Sequence, residues 1–171
     1  MAGIWWQGRW SAASSAGSGV YRLKPGIKQD HTRRWALPDR IFFGHGACHI
    51  LAAVYLAEAP LPGFHAERVI PRGNAPGGHM YVTNGVVTFD YHGYSLRTRL
   101  LDHHRRSWSI DYLGWDCDVE RVDFPILAAN ALNARKMLGP DQYLHNAIPR
   151  ARAFIARTDH AIQSARARRL Y

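Results

Sequence analysis

The sequence predicts an α+β fold: a buried helix packed on an antiparallel sheet, with additional C-terminal helices. Three observations predict it. Residues 47–56 are apolar on nearly every side, as an interior helix must be. An Asn84-Gly85 pair between two alternating runs marks a tight hairpin. Beyond residue 95 the apolar residues recur at helical spacing. The chain has 171 residues, 47% of them hydrophobic, enough for one domain with a true core and short for two. The expected organisation is a loosely ordered N-terminal extension over 1–35 and a single α+β domain over 36–171.

The extension opens "MAGIWWQGRWSAASSAGSG", rich in Ser, Gly and Ala, with Trp5, Trp6 and Trp10 and no period; it is expected to be mobile or loosely docked. The net charge of +9 raises the question of nucleic acid. Its location answers against that partner: residues 1–40 and 147–171 each carry an excess of five positive charges, and residues 41–146 sum to −1. The middle is no basic domain, no reader motif accompanies the tails, and such charge runs are commonly solvated faces. No run of eighteen apolar residues and no secretion-signal pattern occurs. The expectation is a cytoplasmic protein with no membrane partner. Cys48 and Cys117 make neither a disulfide framework nor a zinc ribbon, though a single bridge stays open.

Element by element, Arg40–Phe43 reads as a short strand. Ala47, Ile50, Leu51, Val54 and Tyr55 follow the i, i+3, i+4, i+7, i+8 positions of a helix, and Cys48, Ala52, Ala53 and Leu56 make its other face apolar too. "APLPG" ends it. "HAERVIP" and "GGHMYVTNGVVTFDYHG" read as strands. "SLRTRLLDHHRRSW" reads as an amphipathic helix with Leu96, Leu100 and Leu101 inward, and "FPILAANALNARKMLG" as a helix with Pro125 near its start and Gly139 at its end. "RARAFIARTDHAIQSARARR" makes one long, peripheral basic helix with Phe154, Ile155 and Ile162 as its apolar contacts.

The hairpin sets a pair of side chains face to face. With a two-residue loop, Thr83 pairs with Val86, Val82 with Val87 and His79 with Asp90. Met80, Val82, Val87 and Phe89 then share the core face, and His79, Tyr81, Thr83, Val86, Thr88 and Asp90 share the other. Facing residues have Cβ atoms about 5 Å apart, so Asp90 could orient His79. The alternative is a solvated face with an incidental ion pair.

"FFGHGACHILA" places Cys48 at the start of the buried helix. Free cysteine, with a pKa of about 8.5, is mostly protonated at neutral pH. Unpaired N–H groups at a helix start and a nearby imidazolium both favour the reactive thiolate. Gly44 and Gly46 permit a sharp turn and leave room for a substrate at the sulfur, and the Cys48 N–H could face an oxyanion. His45, Gly46 and His49 are candidate substrate-binding residues. The plain alternative for Cys48 is an inert core thiol.

Cysteine at a helix start, then His79 opening a strand, then Asp90 on the next strand: this order resembles the papain-like superfamily of thiol enzymes. The likeness is strongest to its transglutaminase-like and arylamine N-acetyltransferase-like branches, and the chain is similar to a small bacterial group with a reduced version of the fold. The resemblance covers residues 38–93. His49 follows Cys48 where papain has tryptophan, and no glutamine shortly precedes it. The resemblance implies a papain-like (cysteine proteinase-like) core and a Cys48-His79-Asp90 triad. It implies a thiol-dependent hydrolase or acyltransferase acting on an amide, ester or thioester in a small-molecule or peptide substrate. It implies no cofactor and no metal. A homo-oligomer is open.

Other readings compete. A catalytically inactive papain-like fold could serve as a binding module. Strand, Gly-x-Gly and helix also suit a dinucleotide-binding turn with Glu67 on the next strand, although the third glycine is replaced by His49. His45, Cys48, His49, His79 and Cys117 are zinc-ligand types without a paired zinc spacing. Cys117, between Asp116 and Asp118, is expected to hold its proton.

Overall fold

The computed structural model describes residues 22–169; Trp5, Trp6 and Trp10 lie outside the described residues. The N-terminal segment carries α1 (His31–Trp35) and α2 (Asp39–Gly44), and α3 (Cys48–Glu58) follows. Strands β1 (His65–Pro71), β2 (His79–Thr83), β3 (Val87–Asp90) and β4 (Gly93–Leu96) lead into α4 (Arg97–Ser109). Strand β5 (Cys117–Arg121) and helices α5 (Ala129–Asn133), α6 (Ala147–Ala156) and α7 (His160–Arg169) complete the order. The sheet runs β4-β3-β2-β1-β5, and every neighbouring pair is antiparallel.

The all-round apolarity of 47–56 has its structural counterpart in α3, where every residue from His49 to Tyr55 is buried. It packs on β2 and α6, with Met80, Val82 and Phe89 from the sheet and Ala147, Ala151 and Ile155 from α6 in one core. Burying each of the larger apolar side chains contributes about 1.5–3 kcal/mol. The opposite sheet face is also covered. Val69, Tyr81, Leu100 and Trp115 form a second cluster there, and Glu67 on β1 accepts hydrogen bonds from Tyr81 Oη at 2.5 Å and Arg97 Nε at 2.7 Å, tying α4 to the sheet. Strands β2 and β3 are consequently buried along their whole length. The solvated-face alternative for His79 and Asp90 is therefore excluded.

The hairpin departs from its expected register in an informative way. Val82 pairs with Phe89 and Thr83 with Thr88, so four residues, not two, form the turn. Side chains take over the turn's hydrogen bonding. Asn84 Oδ1 accepts from the N–H groups of Val86 at 3.1 Å and Val87 at 2.9 Å, and Thr83 Oγ1 donates to the Val87 carbonyl at 2.8 Å. A shift of two preserves which side chains share a face, whereas a shift of one would exchange them. His79 and Asp90 thus become diagonal neighbours on one face instead of a facing pair.

Several elements correct the sequence reading. Arg40–Phe43 lies in the helix α2, because a short apolar run carries no period that separates strand from helix; the Pro38 carbonyl accepts from Ile41 and Phe42 N–H, both at 2.9 Å, to start it. Gly44-x-Gly46 therefore follows a helix, and with an antiparallel sheet behind it the dinucleotide-binding reading is overturned. Residues 22–35, placed in the loose extension, carry α1, and Ile27 is buried. Leu96 ends β4 instead of facing inward from a helix. The helix expected across 124–139 shrinks to α5, with Lys136 in the left-handed region at φ 58° just beyond it. The long basic helix is broken: Asp159 caps a new start by accepting from Ile162 N–H at 3.0 Å. Of its two parts, α6 is a core helix and not peripheral, and Ile162 on α7 is exposed.

Candidate active site

Cys48 is the first residue of α3. Ala47 ahead of it has no capping side chain, so the helix's first N–H groups are left for another acceptor. The turn that delivers the chain to this point depends on Gly46, at φ +113°, where an added Cβ would stand 2.7 Å from Arg34 Nη2. The Gly46 carbonyl is held from two sides, by Arg34 Nη2 at 3.0 Å and Tyr143 Oη at 2.6 Å.

His79 opens β2 and lines the same cavity as Cys48. Its Nε2 donates to Asp90 Oδ2 at 3.1 Å in a buried pair. Asp90 is fixed in turn by the backbone N–H of His92, which donates to Oδ1 at 2.7 Å. Three rings hold the imidazole in place: Tyr91 edge-on at 5.3 Å, His104 stacked at 5.7 Å and Tyr81 tilted at 6.0 Å. His104 is anchored by donating through Nε2 to the Gly77 carbonyl at 2.6 Å. Its pKa is lowered to about 4, first by burial and then by the neighbouring His79 charge, so it packs on His79 as a neutral ring.

The three groups pull one another's protonation apart. Burial pushes the Cys48 thiol up, but hydrogen bonds from His49 and His79, with their charge, more than reverse this and bring it down to about 5. Burial lowers the His79 pKa, and the hydrogen bonds and charges of Asp90 and Cys48 outweigh it, raising His79 to about 10. Asp90 is pushed up by burial and held well below the ordinary carboxylate range by His79 and His92. All three shifts run in the direction that favours a thiolate–imidazolium pair beside a carboxylate. Cys117 contrasts with it: burial, with the charges of Asp116 and Asp118, raises its pKa against Arg105 and Arg72.

Cys48, half-buried, lines a cavity of about 450 Å³ together with His79, Gly46 and His49. His49 is buried and donates through Nε2 to the Leu138 carbonyl at 2.7 Å. His45 does not join them: it lines two neighbouring cavities, one of them shared with His79, Asp90 and His104. It follows α2 at a φ of −119°, on the side of His79 and Asp90 away from the Cys48 cavity wall. Among the described residues no group of three or more His, Cys, Asp or Glu side chains is placed to hold a metal ion.

Sequence reasoning missed His104, Tyr91, Arg34 and Tyr143. The signal for His104 was its place one turn after Leu100 and one turn before Trp108 on α4, an inward stripe. Nothing local marked Tyr143, whose contact with Gly46 spans 97 residues. Compared with protein-family models, curated proteins and solved structures, the chain matches none.

Proposed function

We propose that the protein is a thiol-dependent hydrolase or acyltransferase with a papain-like core, in which Cys48 is the nucleophile, His79 the proton carrier and Asp90 the group that orients it. The observation that carries this reading is that Cys48 and the Asp90-bonded His79 line one open cavity. The Cys48 thiolate attacks the carbonyl carbon of an amide, ester or thioester; a carbon–sulfur bond forms and the carbonyl electron pair moves to oxygen. The resulting oxyanion faces the uncapped start of α3, where the Cys48 N–H is available to donate. Its collapse breaks the bond to the leaving group, which departs with the His79 proton. Water or an amine then gives a proton to His79 while attacking the thioester carbon, and the thiolate leaves as the pair is restored. Both cysteines are free among the described residues, and a reducing compartment such as the cytoplasm would keep Cys48 in the required state.

The test is the rate of Cys48 alkylation by iodoacetamide against pH, in the native protein and in His79→Ala. Cys48 should react with an apparent pKa near 5, and far faster at pH 6 than Cys117. In His79→Ala the apparent pKa should move toward the free-thiol value and the pH 6 rate should fall about tenfold or more. Slow and equal labelling of both thiols would sink the proposal. Turnover of a p-nitrophenyl ester should vanish in Cys48→Ala and follow a bell, rising as Cys48 ionises near 5 and falling as His79 loses its proton near 10.

A further inference from the structure

The cavity beside Cys48 has a one-sided charge. Lys28, Arg34, Arg68, Arg135 and Lys136 line it, and no Asp or Glu does. These cations come from three separate parts of the chain, and most are not spent on carboxylates. Arg68 pairs with the exposed Glu120 at 3.0 Å. Among the described residues Lys28, Arg34, Arg135 and Lys136 have no acidic partner within ion-pair distance.

Arg34 is the most telling. It is half-buried, held over the Tyr143 ring at 4.8 Å and bonded to the Gly46 carbonyl, two residues before the nucleophile. Its Nε is buried without an acceptor among the described residues. With no carboxylate to neutralise it, this half-buried guanidinium on the cavity wall leaves its positive field for an anion bound there. Lys136 points the same way by a different route. It occupies a left-handed position, φ 58°, where its N–H donates to Asn133 O at 3.0 Å and that of Met137 to Leu132 O at 3.0 Å, a helix-ending turn that glycine forms with less strain. A lysine there adds charge to the cavity wall at a backbone cost. The remaining wall is apolar, including Val69, Ile70, Met80, Met137 and Leu138.

We infer that the Cys48 cavity takes a small acyl substrate bearing an anionic group, its negative charge held by Arg34, Lys28 and Lys136 and its apolar stem on the Met80 and Leu138 side. This rests on the reading of Cys48 as a nucleophile and adds the substrate's charge. The volume of about 450 Å³ suits a small molecule.

Iodoacetate and iodoacetamide separate the two ideas, because they deliver nearly the same carbon to the sulfur and differ in charge. The ratio of their rates on one thiol is independent of how much thiolate is present. At low ionic strength the iodoacetate-to-iodoacetamide ratio at Cys48 should exceed that of β-mercaptoethanol by about tenfold and shrink as salt is added. Lys136→Gly should keep or raise the melting temperature, by relieving the left-handed residue, while lowering the ratio about threefold. Lys28→Gln should lower it similarly. Mono-p-nitrophenyl succinate should be turned over with a lower KM than p-nitrophenyl acetate. A fast iodoacetamide reaction with a ratio no higher than that of β-mercaptoethanol, unmoved by Lys136→Gly, would leave the nucleophile standing and overturn the anionic substrate. Failure of both reagents to outpace Cys117 would overturn the nucleophile itself, and this inference with it.

Discussion

Asp90 is the residue on which the site's charge state turns. It is buried and bonded to His79, and in the proposed mechanism it holds the imidazolium that in turn holds the Cys48 thiolate. Asp90→Asn conserves shape but removes the charge, so the His79 pKa should drop, the alkaline limb of the activity bell should move to lower pH, and turnover should fall by about 10²–10⁴-fold. Stability should follow. The folded-state pKa of Asp90 is lowered, so its contribution is complete above the ordinary carboxylate range near pH 4 and is lost as pH falls below it. His79 has the opposite sign: its raised pKa contributes stability that is full below about pH 6.5 and lost as pH rises through about 10. Melting temperatures measured from pH 2 to 11 should therefore decline at both ends in the native protein, and the acid-side decline should be shallower in Asp90→Asn.

At the scale of elements, the site depends on two junctions, the start of α3 and the β2–β3 hairpin. The hairpin turn is knit by Asn84, whose side chain accepts from two backbone N–H groups. Asn84→Ala should cost about 1 kcal/mol of stability in urea unfolding, with little loss of turnover, since the strands are pinned on both faces and cannot slip by one residue. A large loss of turnover would show that the turn, not the packing, sets the register. At α3 the sensitive position is Gly46. Alanine there meets Arg34 at 2.7 Å in a left-handed backbone, so Gly46→Ala should lower turnover more than its effect on melting temperature would suggest.

Over the whole molecule, the cavity is a meeting of distant segments, and one side chain on α6 clamps the first of them. Arg150 donates through Nε to Asp39 Oδ1 at 2.8 Å, through Nη1 to Trp35 O at 2.6 Å and through Nη2 to Leu37 O at 2.5 Å. It thereby ties the segment bearing Lys28 and Arg34 to the C-terminal half of the core. Arg150→Met keeps the apolar stem but strips three acceptors of their donor, and should cost about 2–4 kcal/mol in chemical denaturation. Proteolysis under native conditions should then begin within residues 22–38, the part whose attachment is lost.

The sequence by itself determined what depends on neighbours along the chain: the interior helix behind Cys48, the antiparallel hairpin, and the side chains sharing a face with His79 and Asp90, except Val86, which lies exposed in the turn. These were legible because burial period and turn chemistry are local. Only the tertiary structure decided the hairpin's offset of two, the helical state of Asp39–Gly44, the break at Asp159 and the place of His45 in the cavity it shares with His79 and Asp90. Short apolar runs satisfy strand and helix equally, and what covers a face is chosen by segments far away. The same holds for the cavity's positive wall. Lys28, Arg34 on α1, Arg68 on β1, and Arg135 and Lys136 after α5 share no motif, and their charges converge only when the chain closes around the sulfur.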